Sequence, residues 1–223
     1  MARLARHVAS TVEDGSLLGL GSGSTAEAVI RELGSRIAQG AHFTGVPTSK
    51  RTAEIATECG INLIEFDHVQ SLELGIDGAD EISPALDLIK GRGGALLHEK
   101  LVALTCRRFV IVAASEKLVE QLGTRLPLPV EVVQFGSDKT GRRLAELGLN
   151  PTMRKGDGSS PYVTDGGHFI FDCATGPIDA PMELASAIKQ TAGVVEHGLF
   201  VGVATEAITV DHQGNIEHLK RNN

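Results

Sequence analysis

Apolar residues recur with a helical period at Leu4, Ala5, Val8, Ala9 and Val12, and Gly15 closes that run. Residues 16–20 form a short apolar stretch that predicts a strand. Gly21-Ser22-Gly23-Ser24-Thr25 then turns into a helix carrying Ala28, Val29, Leu33 and Ile37. The rhythm continues with a strand over 42–46, a helix over 49–59 and a strand over 61–66. Next, the alternation of Leu72, Leu74 and Ile76 runs into Asp77, followed by a helix over 95–106 and a strand over 109–113. Strands and helices taking turns in this way predict an α/β fold with a largely parallel, Rossmann-like sheet.

After Gly123 the texture changes. Leu126-Pro127-Leu128-Pro129 interrupts the pattern, and a strand (130–135), a helix (138–147) and strands flanking Asp165-Gly166-Gly167 follow. A helix over 181–191 and a strand over 194–200 complete a βα, hairpin, αβ order, which predicts a second, smaller ferredoxin-like α+β domain. The tail, 201–210 with a hairpin signal at Gly214-Asn215, is expected to rejoin the first sheet. The expected division is therefore a catalytic domain over 1–124 and 202–223, and a small domain over 125–201 suited to oligomerisation.

Composition narrows the classes. A hydrophobic content of 42% over 223 residues suffices for a sizeable core, and no run is long and apolar enough for a membrane span. The first residues lack an apolar signal-peptide core and acids follow at Glu13 and Asp14, so the expected location is cytoplasmic. A formal charge of −7 argues against a nucleic-acid surface, which needs clustered Lys and Arg, but leaves a small anionic substrate open. Cys59, Cys106 and Cys173 are widely spaced and read as reduced thiols, and the histidines form no metal-ligand spacing, so no metal site is expected.

Two segments carry chemistry. The stretch from Asp77 to Lys100, DGADEISPALDLIKGRGGALLHEK, places Asp77 and Asp80 at a turn beyond a strand end. It then sets Lys90 before Gly91-Arg92-Gly93-Gly94 and puts Glu99 near the start of a helix. Taken singly, the Asp-Gly turn is most often a solvated loop and Glu99 a helix-terminal charge; their joint occurrence weakens that explanation. The other segment is Gly19-Leu20-Gly21-Ser22-Gly23-Ser24-Thr25. It has Ser24 where a dinucleotide fingerprint wants glycine, and no acid ends the next strand. It suits either a monophosphate held by N–H groups and hydroxyls at a helix start, or plain N-capping by Ser24 or Thr25.

The motifs GLGSGSTAE, VPTSKRT, GIDGADEI, KGRGGALLHEK, ASEK, LPLPVEV and VTDGGHFIFD together closely resemble the type A ribose-5-phosphate isomerase family across nearly the whole chain. The resemblance implies interconversion of ribose 5-phosphate and ribulose 5-phosphate in the pentose phosphate pathway, without a cofactor, by a homodimer or homotetramer. It places the general base at Glu99, further catalytic roles at Asp77 and Lys90, and substrate binding at Ser22, Gly23, Ser24, Thr25, Asp77, Gly78, Ala79, Asp80, Lys90, Gly91, Arg92, Gly93 and Lys117. Some members have Thr at Ser22 or Gly at Arg92, and an early basic residue of some members has no clear match.

Aldose-ketose isomerisation moves a proton between C2 and C1 through an enediolate, so it needs one base for both carbons and a cation for the oxyanion. Glu99 and Lys90 suit those roles, and Asp77 suits ring opening. Two other classes fit parts of the pattern. A non-catalytic sugar-phosphate sensor would keep the Ser/Thr turn but not need Glu99, and an acyl-CoA transferase would form a glutamyl thioester.

Overall fold

A computed structural model describes residues 1–221; positions 222 and 223, the end of the expected 202–223 segment, lie outside the described residues. The described residues pack as two compact units, 1–79 with 98–117 and 202–221, and 80–97 with 118–201. Among the described residues no helix is long and apolar enough to cross a membrane.

In the first unit, seven strands of the described residues form one sheet in the order Ile216–Lys220, Glu206–Val210, Cys106–Ala114, Leu72–Asp77, Leu17–Leu20, Thr44–Pro47 and Asn62–Leu63. All neighbours run parallel except the terminal hairpin of Glu206–Val210 with Ile216–Lys220. The hairpin signal at Gly214-Asn215 is thus realised: Gly214 takes φ +86°, and the Asp211 carboxylate accepts the amides of Gln213 and Asn215. Helices Ala2–Ser10, Ser24–Ile37 and Lys50–Glu58 turn Leu4, Leu33 and Ile55 into the core with Leu18 and Val112. Each of these side chains is fully buried and stabilises the unit by about 1.5–3 kcal/mol.

Helix Leu96–Thr105 passes into strand Cys106–Ala114 with no intervening residue. It can lie close to the sheet because two strand positions lack side chains. A Cβ on Gly19 would come within 2.7 Å of Val102, and one on Gly75 within 2.5 Å of the Cys106 sulfur. The strand expected over 61–66 shrinks to Asn62–Leu63 at the sheet edge, because it has a partner on one side only and Phe66–His68 winds into a 3₁₀ turn.

The second unit holds an antiparallel sheet in the order Val194–His197, Leu128–Val132, Phe169–Ala174 and Asn150–Met153, crossed by helices Ser137–Glu146 and Pro181–Lys189. Taken along the chain this is the βαββαβ order expected of a ferredoxin-like unit. Its core gathers Leu128, Val130, Val132, Leu144, Phe171 and Ile188. Pro181 opens its helix, where a missing N–H costs nothing.

Two local differences from the expectation have clear causes. The strand foreseen over 194–200 breaks at Gly198, whose N–H donates to the Pro129 carbonyl and whose own carbonyl accepts from the Lys90 N–H. Beyond the break, Leu199–Phe200 joins Leu88–Ile89 and Glu81–Ile82 in a small antiparallel sheet. That sheet, the Ile82–Leu118 bridge, and the burial of Ile89, Val119 and Leu122 in the second core explain why 80–97 and 118–124 pack with the smaller unit rather than with 1–79.

Candidate active site

In the first unit the candidate residues gather at the carboxyl ends of neighbouring parallel strands. Leu17–Leu20 lies between Thr44–Pro47, to which the chain next returns, and Leu72–Asp77 on the opposite side, and such a reversal of strand order opens a crevice at the strand ends. Gly21 donates its N–H to the Ile76 carbonyl at 2.9 Å. The side of Gly21 away from the loop is filled by Asp77, whose Cα would lie 2.6 Å from any Cβ there.

Asp77 is 1% exposed. Its Oδ1 accepts the N–H of Ser22 at 3.1 Å and of Gly78 at 2.7 Å, so two backbone donors hold the carboxylate in one orientation. The thiol of Cys106 beneath is pushed up to about 12, first by burial and then by the negative charge of Asp77.

Gly23 is the N-cap of helix Ser24–Ile37 and has φ +93° and ψ 166°, a conformation essentially reserved for glycine. Because the cap has no side chain, the helix N-terminus keeps its N–H groups facing outward, with exposed Ser24 and part-buried Thr25 as the first helical residues. Capping by Ser24 or Thr25 is therefore not the arrangement adopted.

Ser22 behaves differently from its neighbours. Its hydroxyl lies 2.8 Å from those of Thr48 and Ser49 and 3.1 Å from that of Thr52. Thr48 in turn donates to the Leu20 carbonyl and Thr52 to the Gly21 carbonyl. The VPTSKRT segment thus supplies a buried hydroxyl cluster under the glycine turn, and Ser49 also caps its own helix through the Thr52 N–H. Sequence reading singled out Ser22 and passed over Thr48, Ser49 and Thr52; hydroxyls following a strand at 44–47 were the available signal.

Glu99 lies in the first turn of helix Leu96–Thr105 and is 4% exposed. It shares a helix face with Val102, which packs at Gly19, so it stands one turn nearer the carboxyl ends of the strands. Lys117 ends the 3₁₀ turn Ser115–Lys117 that follows strand Cys106–Ala114. Gly78 and Ala79 are part-buried beyond Asp77.

The remaining candidates belong to the second unit. Lys90 is 3% exposed, its Nζ standing 5.6 Å from the centre of the Phe200 ring. Gly91 takes φ +104° and opens a turn in which the Gly94 N–H meets the Gly91 carbonyl, while Arg92 and Gly93 are exposed at its tip. Asp80 Oδ2 accepts the Arg92 N–H at 3.0 Å. Asp80, Arg92, Leu126, Pro127, Pro129 and Arg154 with Asp172 surround a pocket of about 340 Å³.

Glu81, next to Asp80, was not among the expected site residues. It is fully buried, and its two oxygens accept the N–H groups of Gly123, Arg125 and Leu126 at 2.6–2.9 Å, fixing the chain that leads into Leu126-Pro127.

The family model for ribose 5-phosphate isomerase A (phosphoriboisomerase A) matches residues 44–214. A ribose-5-phosphate isomerase A of Roseiflexus castenholzii is 49% identical over 217 residues, covering 96% of this chain and 93% of the relative. Among solved structures, ribose 5-phosphate isomerase A from Methanocaldococcus jannaschii superposes with a TM-score of 0.93 at 36% identity, covering 98% of this chain and 97% of that one. A D-ribose-5-phosphate isomerase in complex with phospho-erythronic acid gives 0.95 at 32% identity, covering 99% and 97%. With a fold, a motif set and relatives that agree along almost its full length, the chain belongs to the ribose 5-phosphate isomerase A family.

Proposed function

We propose that this protein interconverts ribose 5-phosphate and ribulose 5-phosphate, as its relatives are named for doing, through an enediolate and within the pentose phosphate pathway. The observation that carries the reading is the burial of Asp77, Lys90 and Glu99 at 1–4% exposure. Burying ionisable groups is costly, and such groups concentrate where chemistry uses them.

In this reading Glu99 is the base that takes the proton from C2 and returns it at C1. Lys90 offsets the negative charge that develops on the oxygen, and Asp77, held by two backbone N–H groups, assists opening of the sugar ring. The phosphate is received by the helix start at Gly23, Ser24 and Thr25 and by Lys117. Ser22 contributes the backbone shape of the turn, because its hydroxyl is engaged by Thr48 and Ser49 and its N–H by Asp77. Gly78, Ala79, Asp80, Gly91, Arg92 and Gly93 complete the sugar-binding set. The phospho-erythronic acid bound by a relative is a four-carbon phosphorylated acid, a shape that supports a phosphosugar ligand here.

The family also supports a cytoplasmic homodimer or homotetramer, and exposed apolar side chains such as Phe135, Met182 and Leu104 supply surface that assembly would cover. Light scattering after size exclusion gives the assembly state.

The deciding experiment is a coupled assay with ribose 5-phosphate, repeated in deuterated water. Ketose formation with solvent deuterium at C1, and at C2 of aldose re-formed from it, is expected, since a carboxylic acid proton exchanges during the life of an enediolate. Absence of turnover would leave a binding module. A trapped glutamyl thioester would point to acyl transfer.

A further inference from the structure

We infer that Arg154 is a positioning residue for the reaction, acting through the glycine turn that follows Lys90. The inference rests on the assignment of Lys90 to Gly93 to substrate binding. Arg154 follows strand Asn150–Met153 and faces Asp172 on the neighbouring strand Phe169–Ala174. Its Nε donates to Asp172 Oδ2 at 3.0 Å and its Nη2 to Oδ1 at 2.5 Å, a two-pronged pairing that fixes the plane of the guanidinium. The side chain is 14% exposed, so water competes weakly.

What the pairing leaves over is Nη1, and it donates to the carbonyls of both Gly91 and Arg92 at 3.0 Å. Across a trans peptide the N–H points opposite to the C=O. Drawing the Gly91 carbonyl toward Arg154 therefore turns the Arg92 N–H the other way, where Asp80 Oδ2 receives it. Drawing the Arg92 carbonyl in the same direction likewise turns the Gly93 N–H away from the guanidinium, which presents it as a donor on the Asp80 side. The turn is backed by Tyr162, whose ring centre is 6.0 Å from the Arg154 guanidinium carbon and would lie against any Cβ at Gly94.

Four of the five guanidinium protons are thus spent on the pairing and on two loop carbonyls. Lysine has no planar fork and cannot serve both partners. Asp172 fixes the guanidinium, and the guanidinium fixes two peptide planes of a turn whose glycines give it little stiffness of its own.

The test uses the full-length protein with Arg154→Ala, Arg154→Lys and Asp172→Asn. Hydrogen exchange read by mass spectrometry on a peptide spanning 91–94 reports the turn directly. Exchange there is expected to quicken by about tenfold or more in Arg154→Ala, while the melting temperature changes little. Turnover of ribose 5-phosphate is expected to fall by roughly 10²-fold, the usual effect of a misplacement near 1 Å. Added guanidinium ion at millimolar concentration should restore part of that turnover.

Arg154→Lys, which keeps charge and length, should share most of the loss and keeps the test open should the alanine variant fail to fold. Asp172→Asn should show a smaller loss. Unchanged exchange at 91–94 in a folded Arg154 variant overturns the inference. So does wild-type turnover in a variant whose turn exchanges faster. A lowered melting temperature with wild-type exchange and turnover would make the residue merely structural. A wild-type protein that does not isomerise the sugar would instead sink the functional assignment, with the exchange data still deciding whether Arg154 holds the turn.

Discussion

Substituting Gly21 by alanine tests the tightest feature of the first unit. The new Cβ would stand 2.6 Å from Asp77 Cα and closer still to its carboxyl group. Carbon atoms rest at about 3.5–4.0 Å, so the ends of strands Leu17–Leu20 and Leu72–Asp77 must part by about 1 Å or the Asp77 side chain must turn away from the Ser22 and Gly78 amides. Overpacking of this kind costs about 1–3 kcal/mol. At about 2–4 °C per kcal/mol for a chain of this size, the melting temperature should drop by roughly 2–12 °C. Turnover should fall by about 10²-fold through displacement of the carboxylate, measured in the coupled assay beside a thermal melt. Gly23→Ala is the comparison: nothing lies within 4 Å of its Cβ, so its cost, about 1–3 kcal/mol, comes from φ +93° alone and leaves Asp77 untouched. It should act on KM more than on kcat. Wild-type stability and turnover in Gly21→Ala would refute the close approach of the two strand ends and the role given to Asp77.

Other outcomes are equally definite. Glu99→Gln should lower turnover by roughly 10²–10⁴-fold while leaving the affinity for a phosphorylated aldonate nearly unchanged; wild-type turnover removes Glu99 as the base. Ser24→Ala with Thr25→Ala should raise KM, whereas Ser22→Ala should chiefly lower the melting temperature by opening the hydroxyl cluster, and the reverse pattern would move the phosphate contact to Ser22. The thiols of Cys106 and Cys173 are raised from 9.0 to about 12, chiefly by burial, so the folded state holds their protons more tightly than the unfolded one. Their contribution is complete below pH 9.0 and is lost as pH climbs toward about 12. Denaturant midpoints followed across that range should decline more steeply for the wild type than for Cys106→Ala, and parallel curves would contradict the assignment.

Much of this was readable from residue order because the signals were local. The period of Leu4 to Val12, the alternation into Asp77 and the Gly214-Asn215 turn each depend on near neighbours, and each formed where expected. Contacts between distant segments were not readable. Nothing near Ser22 announces that its hydroxyl is taken by Thr48, Ser49 and Thr52, and nothing in the run around Arg154 announces Asp172 or the carbonyls of Gly91 and Arg92. Gly198 shows the same limit. Its flanks read as one continuous strand, and only the arrival of Pro129 and Lys90 explains why the strand changes sheets there.

Helix Leu96–Thr105 and strand Cys106–Ala114 share a covalent boundary without a linker. Such a splice behaves like a keyed shaft: the strand is locked in register by Leu72–Asp77 and Glu206–Val210, and the angular phase of the helix is locked to the strand. One extra residue between Thr105 and Cys106 would rotate Glu99 by about 100° and lift it by about 1.5 Å, with no loop to absorb the error. Length changes that evolution tolerates readily in surface loops are therefore forbidden at this joint, and the aim of the carboxylate at position 99 is set by counting residues to the sheet.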